Sequence, residues 1–189
     1  MLSHRSGRSA GFTLLEIVIT LAIIGVLVAA LMPQVLGRMT QGQSASLLST
    51  LTGLQEAANA HRGDVGRYPQ RISQLAVAPT AGTEDSCGRV IPGFALSGWA
   101  GPYLERNVTS AGIAIGGSVI ADSLRRVPAT YSEVGTLYID VADVDQAVAN
   151  QMETAMDGTI DYLSGSILWS QVGTTGRGTL SLASPVRGC

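Results

Sequence analysis

Two patterns of apolar residues meet in the first third of this chain. From Phe12 to Met32 the run is almost unbroken, with one carboxylate, Glu16, set into it. At 1.5 Å per residue it makes a helix of about 31 Å, enough to cross one hydrocarbon core. Beyond Pro33 the pattern becomes a stripe. Val35, Leu36 and Met39 begin a face that Leu47, Leu48, Leu51, Leu54, Ala58 and His61 continue at three- and four-residue spacing. Polar Gln41, Ser44, Ser46, Ser49, Thr52, Gln55 and Asn59 fill the other side. The spacing predicts one long helix over 12–62, apolar all round in its first half and amphipathic in its second, with Gly63 and Asp64 as the stop.

Past that point the periodicity shortens. Gly66-Arg67-Tyr68-Pro69 reads as a turn, and residues 70–75 as one short helical turn. Residues 76–98, rich in Gly, Pro and Ala, read as an irregular loop crossing the helix. Alternating or β-branched runs predict strands at 112–120, 136–141, 166–170 and 179–183. A helix is predicted over 144–156, with Asp143 as N-cap, Gln146 in the capping-box position and Gly158 as the stop. The fold class is α+β: a small antiparallel sheet packed on the amphipathic half of the long helix.

Charge gives the apolar run a direction. Met1 to Ala10 is short and basic, with Arg5, Arg8 and His4, and the first basic residue after the span is Arg38. The positive-inside rule places the leader in the cytoplasm and the bulk outside. An ordinary secretory signal is cut after its apolar region; here the expected cut lies before it, so the apolar segment stays on the mature chain. All twelve basic residues are Arg. Without Arg5 and Arg8, ten basic face fourteen acidic side chains, a charge of −4 that disfavours non-specific nucleic-acid binding.

Glu16 requires a partner or water, because an isolated ionised carboxylate in an apolar medium is costly. Pro33 cannot donate its backbone hydrogen bond, so the turn before it should bend or melt. Two readings of Pro33 stay open: a simple helix end at a membrane surface, and a hinge that lets helices pack. Cys87 and Cys189 are the two cysteines. Outside the cytoplasm they would pair; the alternative is two free thiols.

Gly11-Phe12-Thr13-Leu14-Leu15-Glu16, with the basic leader before it and the apolar run after it, resembles the cleavage and methylation signature of type IV pilins and type II secretion pseudopilins. The resemblance implies cleavage by a prepilin peptidase after Gly11, N-methylation of Phe12, and subunit pairing through Glu16. In a staggered bundle Glu16 would meet the N-terminal amine of a neighbouring Phe12. Pro33 matches a proline common in these helices. The implied organisation is a leader at 1–11, a transmembrane and polymerisation helix at 12–33, its amphipathic continuation at 34–63, and an extracytoplasmic pilin-like head at 64–189. The implied partners are copies of the chain and other pilin-like subunits, the peptidase and methyltransferase, and an inner-membrane assembly platform.

Two filaments fit this resemblance. A pilus fits the long loop and terminal cysteine, since pilins often close a C-terminal region with a disulfide, and is the favoured expectation. A secretion pseudopilus fits Tyr68-Pro69 and the stretch Gly98-Trp99-Ala100-Gly101-Pro102-Tyr103-Leu104. A third alternative is a minor tip subunit acting as a binding module. Major pseudopilins often hold calcium in C-terminal loops, which makes Asp140, Asp143, Asp157 and Asp161 candidate ligands; helix capping and turn formation explain Asp143, Asp157 and Asp161 without a metal. The Asp-Pro-Trp-Gly stretch usual in that group is missing. No other cofactor is expected. No nucleophile–base set or phosphate loop is visible, so an enzyme is not expected.

Overall fold

The structure, a computed structural model, describes residues 12–127 and 134–189. It divides into two compact units, one ending at Met39 and the other running from Thr40 to Cys189.

The long helix α1 covers Leu14–Val65. The Thr13 hydroxyl accepts the Glu16 N–H at 3.2 Å, so Thr13-x-x-Glu16 starts the helix as an N-cap. The Thr20 hydroxyl instead donates back to the Ile17 carbonyl at 2.8 Å. Pro33 lies inside the helix, which continues through it without a melted turn. The helix also runs past Gly63 and Asp64. The residue that stops it is Gly66, at φ 75°, whose N–H bonds the Arg62 carbonyl at 2.8 Å. Left-handed backbone is nearly free of cost for glycine alone, and that ends helices.

Two short helices follow, α2 at Ser73–Ala76 and α3 at Gly93–Leu96; the latter lies in the stretch expected to be wholly irregular. Strands β1 (Ile113–Ile115), β2 (Ser118–Val127), β3 (Gly135–Asp145), β4 (Ile167–Gln171) and β5 (Arg177–Val186) form one antiparallel sheet in the order β1-β2-β3-β5-β4. The single strand expected over 112–120 is instead a hairpin. Gly116 and Gly117, both at positive φ (55° and 88°), turn the chain between β1 and β2. A two-residue loop with both residues left-handed is the turn that matches strand twist.

Helix α4 spans Gln146–Met156, and its N-cap is Asp145, whose side chain accepts the Ala147 N–H at 2.9 Å. Asp143, the expected cap, sits at φ 61° where the β3–β5 register shifts between Val141 and Val144. The bulge carries β3 farther than alternation predicted, and the helix starts correspondingly later. Gly158, at φ 78°, does close α4, bonding the Glu153 carbonyl.

The core of the second unit lies between the C-terminal half of α1 and one face of the sheet. Leu47, Leu51, Leu54 and Ala58 of α1 join Ile120, Leu124, Leu137, Ile139, Val141, Leu180 and Leu182 from the strands. Val148, Ala149 and Met152 of α4 complete it.

Candidate assembly surface and the disulfide-closed head

Among its described residues the first unit buries no hydrophobic core. The most apolar stretch of α1 is 0% buried, and the helix passes the length and composition test for a membrane span. Seventeen large apolar side chains from Phe12 to Met39 stand exposed. Each gains roughly 1.5–3 kcal/mol when taken out of water, so this half of the helix belongs in lipid or against other helices. Phe12 is 80% exposed. Glu16 sits in the first turn, where a carboxylate also suits the helix dipole. Gly11 and the leader lie outside the described residues.

The second unit closes on itself. Cys87 and Cys189 form a disulfide that joins positions 102 residues apart. Asp85 organises the loop around it. This acid is 0% exposed; its Oδ1 accepts the Cys87 and Arg89 N–H groups at 2.9 and 3.0 Å, and its Oδ2 lies 3.2 Å from Arg67 Nη1. Sequence reading passed over Asp85, although an Asp two residues before the turn backbone it binds is a recognisable local signal. The Tyr68 N–H bonds the Cys189 carbonyl, and the Tyr68 hydroxyl bonds Asn59 Oδ1 at 3.0 Å, so the chain end is tied to α1.

The stretch 98–104 forms an aromatic corner. Trp99 and Tyr103 pack edge to face at 5.6 Å, and His61 packs on Tyr103 at 5.7 Å. Trp99 Nε1 donates to the Gln74 carbonyl at 3.3 Å, and the Tyr103 hydroxyl donates to Asp64 Oδ2 at 2.7 Å. A Cβ on Gly101 would lie 2.6 Å from the Trp99 ring, so only glycine fits. Burial pushes the His61 pKa down, against the opposing effects of the Arg67 carbonyl and Asp64. Its Nδ1 is 2.9 Å from that carbonyl, and its Nε2 is buried with no partner.

The four aspartates proposed as calcium ligands are each engaged by protein. Asp140 Oδ1 accepts the Ser181 hydroxyl at 2.5 Å, and its Oδ2 lies 3.5 Å from Arg125 Nε. Asp143 pairs with Arg177 at 2.9 Å. Asp157 takes the Ser166 and Ile167 N–H groups; burial raises its pKa, but these donors outweigh it and hold the group below the ordinary carboxylate value. Asp161 accepts the Leu163 N–H and the Ser164 hydroxyl, which lower its pKa. Among the described residues, no group of three or more His, Cys, Asp or Glu side chains is placed to hold a metal ion. Beside the last pair lies Glu153, 1% exposed, whose Oε2 accepts the Asp161 N–H at 2.6 Å while Oε1 is buried without a hydrogen-bond partner. Burial raises its pKa, and the charges of Asp157 and Asp161 add to that.

A long helix that is bare and apolar in its first half, and packed in its second half on a small antiparallel sheet, defines a pilin-like subunit. Comparison with known proteins agrees. Residues 6–32 match the prokaryotic N-terminal methylation motif. The chain is 29% identical over 102 residues to type II secretion system core protein G of Aeromonas hydrophila, covering 51% of this chain and 71% of that one. It is 35% identical over 77 residues to core protein G of Klebsiella pneumoniae, covering 39% and 55%. It is 26% identical over 115 residues to type IV major pilin protein PilA of Myxococcus xanthus, covering 61% and 49%. The chain thus spans only about half the length of the latter two. No solved structure matches. In motif and in sequence this chain is therefore similar to the subunits of type IV pili and type II secretion pseudopili.

Proposed function

We propose that the chain is a body subunit of a type IV filament, held in the inner membrane until it is polymerised through α1. A prepilin peptidase cuts between Gly11 and Phe12, and the new Phe12 amine is methylated. The subunit then leaves the bilayer on an assembly platform and packs its apolar helix against other copies and other pilin-like subunits. The observation that carries this reading is the contrast along α1: no burial over the most apolar stretch, and a complete core where Leu47 to Ala58 meet the sheet.

Glu16 supplies register. Surrounded by apolar helix, its carboxylate is best satisfied by the cationic Phe12 amine of a neighbour. Removing one member of a desolvated pair costs about 3–5 kcal/mol, enough to reject staggers that separate the two. The basic leader on the cytoplasmic side and a head that carries a disulfide on the oxidising side describe one orientation. The role is structural rather than catalytic.

Two filaments share this design. A secretion pseudopilus is supported by the relatives named core protein G, and by the Tyr68-Pro69 step and the 98–104 corner. A surface pilus is supported by the similarity to PilA and the disulfide-tied C-terminus. Mass spectrometry of sheared surface filaments and of inner membranes tests both. A peptide that starts at Phe12 and carries one added methyl group is expected. Abundance in the sheared fraction identifies a pilus subunit, and confinement to the membrane identifies a pseudopilin or minor subunit. An intact Met1 terminus throughout contradicts processing.

A further inference from the structure

The chain has three asparagines, and they differ in what they touch. Asn59 Oδ1 accepts the Tyr68 hydroxyl, and Asn150 Oδ1 accepts that of Tyr162. Asn107 is exposed and makes no hydrogen bond among the described residues. It is also the one followed two residues later by a hydroxyl. Glu105-Arg106-Asn107-Val108-Thr109 is an Asn-x-Thr triplet without proline, with a carboxylate two residues before the asparagine. At the corresponding position Asn59 is followed by His61, and Asn150 by Met152. Asn-x-Ser/Thr is the acceptor sequence for attaching sugar to an asparagine amide nitrogen. The spacing has a physical basis. In an extended peptide alternate residues point the same way. Glu105, Asn107 and Thr109 would then present a carboxylate, an amide and a hydroxyl to one enzyme surface.

The fold offers this segment in the form such an enzyme needs. Residues 105–107 are exposed and lie between α3 and β1, outside every helix and strand. Both ends are anchored. The Tyr103 and Leu104 N–H groups bond the Leu75 carbonyl at 2.8 and 3.2 Å, and Leu104 and Val108 pack on the core. Thr109 closes a turn, its N–H and hydroxyl both donating to the Gly112 carbonyl, at 3.2 and 2.9 Å. Between these anchors the N–H groups of residues 105–108 make no backbone hydrogen bond among the described residues. A segment with a free backbone and exposed side chains can be drawn into an extended shape without opening the core.

We propose that Asn107 is an N-glycosylation site, modified on the outer side of the membrane by a transferase that uses a lipid-linked oligosaccharide. Asn107 Nδ2 attacks the anomeric carbon of the first sugar. The carbon–nitrogen bond forms as the bond from that carbon to the polyprenyl diphosphate oxygen breaks. The diphosphate leaves with the electron pair, and a base on the transferase takes one Nδ2 proton. No atom is oxidised or reduced. The proposal rests on the orientation inferred above, because the head must face the compartment in which the lipid donor displays its sugar.

The test is mass spectrometry of the full chain, purified from the membranes and sheared filaments of the native cells and digested without reduction. The peptide that holds Asn107 is expected to be heavier by several sugar residues, with electron-transfer fragmentation locating them on Asn107. Asn107→Gln and Thr109→Val should abolish the added mass, Thr109→Ser should keep it, and Glu105→Gln should lower occupancy several-fold. Neither Glu105 nor Asn107 makes a hydrogen bond or ion pair among the described residues, so their variants should unfold at the midpoint of the unglycosylated wild-type chain. An unmodified Asn107 peptide, or sugar found instead on Thr109 or Ser110, would overturn the proposal. The same digest separates two causes of failure. An unmodified peptide beside a processed Phe12 terminus and a closed Cys87–Cys189 bridge refutes the site alone. Beside an intact Met1 terminus and free thiols, it refutes the orientation as well.

Discussion

Residues 14–39 and 47–65 belong to one helix, yet they solve opposite problems. In the second stretch the apolar residues form a stripe, and the sheet covers it: Leu51, Leu54 and Ala58 are 0% exposed. In the first they cover every side, and nothing among the described residues covers them: Leu21, Ile24 and Leu27 are more than half exposed. A one-sided stripe specifies one partner, supplied by the same chain. An all-round apolar surface specifies a surrounding medium, first lipid and then other helices. Polar exceptions follow the same division. His61 is answered within its own unit by the Arg67 carbonyl, whereas Glu16 stands exposed in the first turn of α1.

Several substitutions would break this contrast if it were wrong. The largest expected effect is on the disulfide. Closing a loop of 102 residues contributes about 4–5 kcal/mol in chain-entropy terms. Cys87→Ser with Cys189→Ser should lower the denaturation midpoint of the head accordingly, read by Trp99 and Trp169 fluorescence, while membrane retention stays unchanged. Next comes the helix itself. Leu54→Ala should cost the head about 2–5 kcal/mol, and Leu21→Ala should leave head unfolding unaltered. Equal effects would erase the distinction. The N-cap of α4 is smaller: Asp145→Ala should cost about 0.5–2 kcal/mol in the same assay.

The smallest effects are pH-dependent, and two groups oppose each other. Burial holds the His61 pKa below its ordinary 6.5, so the unfolded chain binds the proton more readily. The head should lose stability as pH falls through about 6.5, and His61→Gln should flatten that slope. Glu153 runs the other way. Its pKa is raised above the ordinary 4.5, so its contribution is fully present below 4.5 and is lost as pH rises through the folded value. Glu153→Gln, which keeps the acceptor for the Asp161 N–H, should gain stability relative to wild type at pH 7–8 and converge with it near pH 4.5. Parallel pH curves for the variant and wild type would remove this burial cost.

Periodicity made the helix legible because a stripe and a solid run need no tertiary information. The order of elements in the head was legible for the same reason. Positions that depend on one residue's backbone were harder. Gly116-Gly117 falls inside the run of small and β-branched residues that predicts a strand over 112–120; the glycine pair is itself the hairpin signal. Asp143 and Asp145 both have capping chemistry, and only the bulge in β3 decides between them. Turn and cap chemistry was legible for Asp157 and Asp161, but the particular partners of the four aspartates, Ser181, Arg177, Ile167 and Ser164, follow from strand pairing and turn geometry.

The most direct test of the account is Glu16→Ala in the native cells, with processing, membrane content and filament yield measured together. The account predicts that the variant is cut before Phe12, methylated and retained in the membrane at normal levels, with filaments reduced or absent. Normal filament yield from a processed Glu16→Ala chain would contradict the claim that a Glu16–Phe12 pair between neighbours sets the register of assembly.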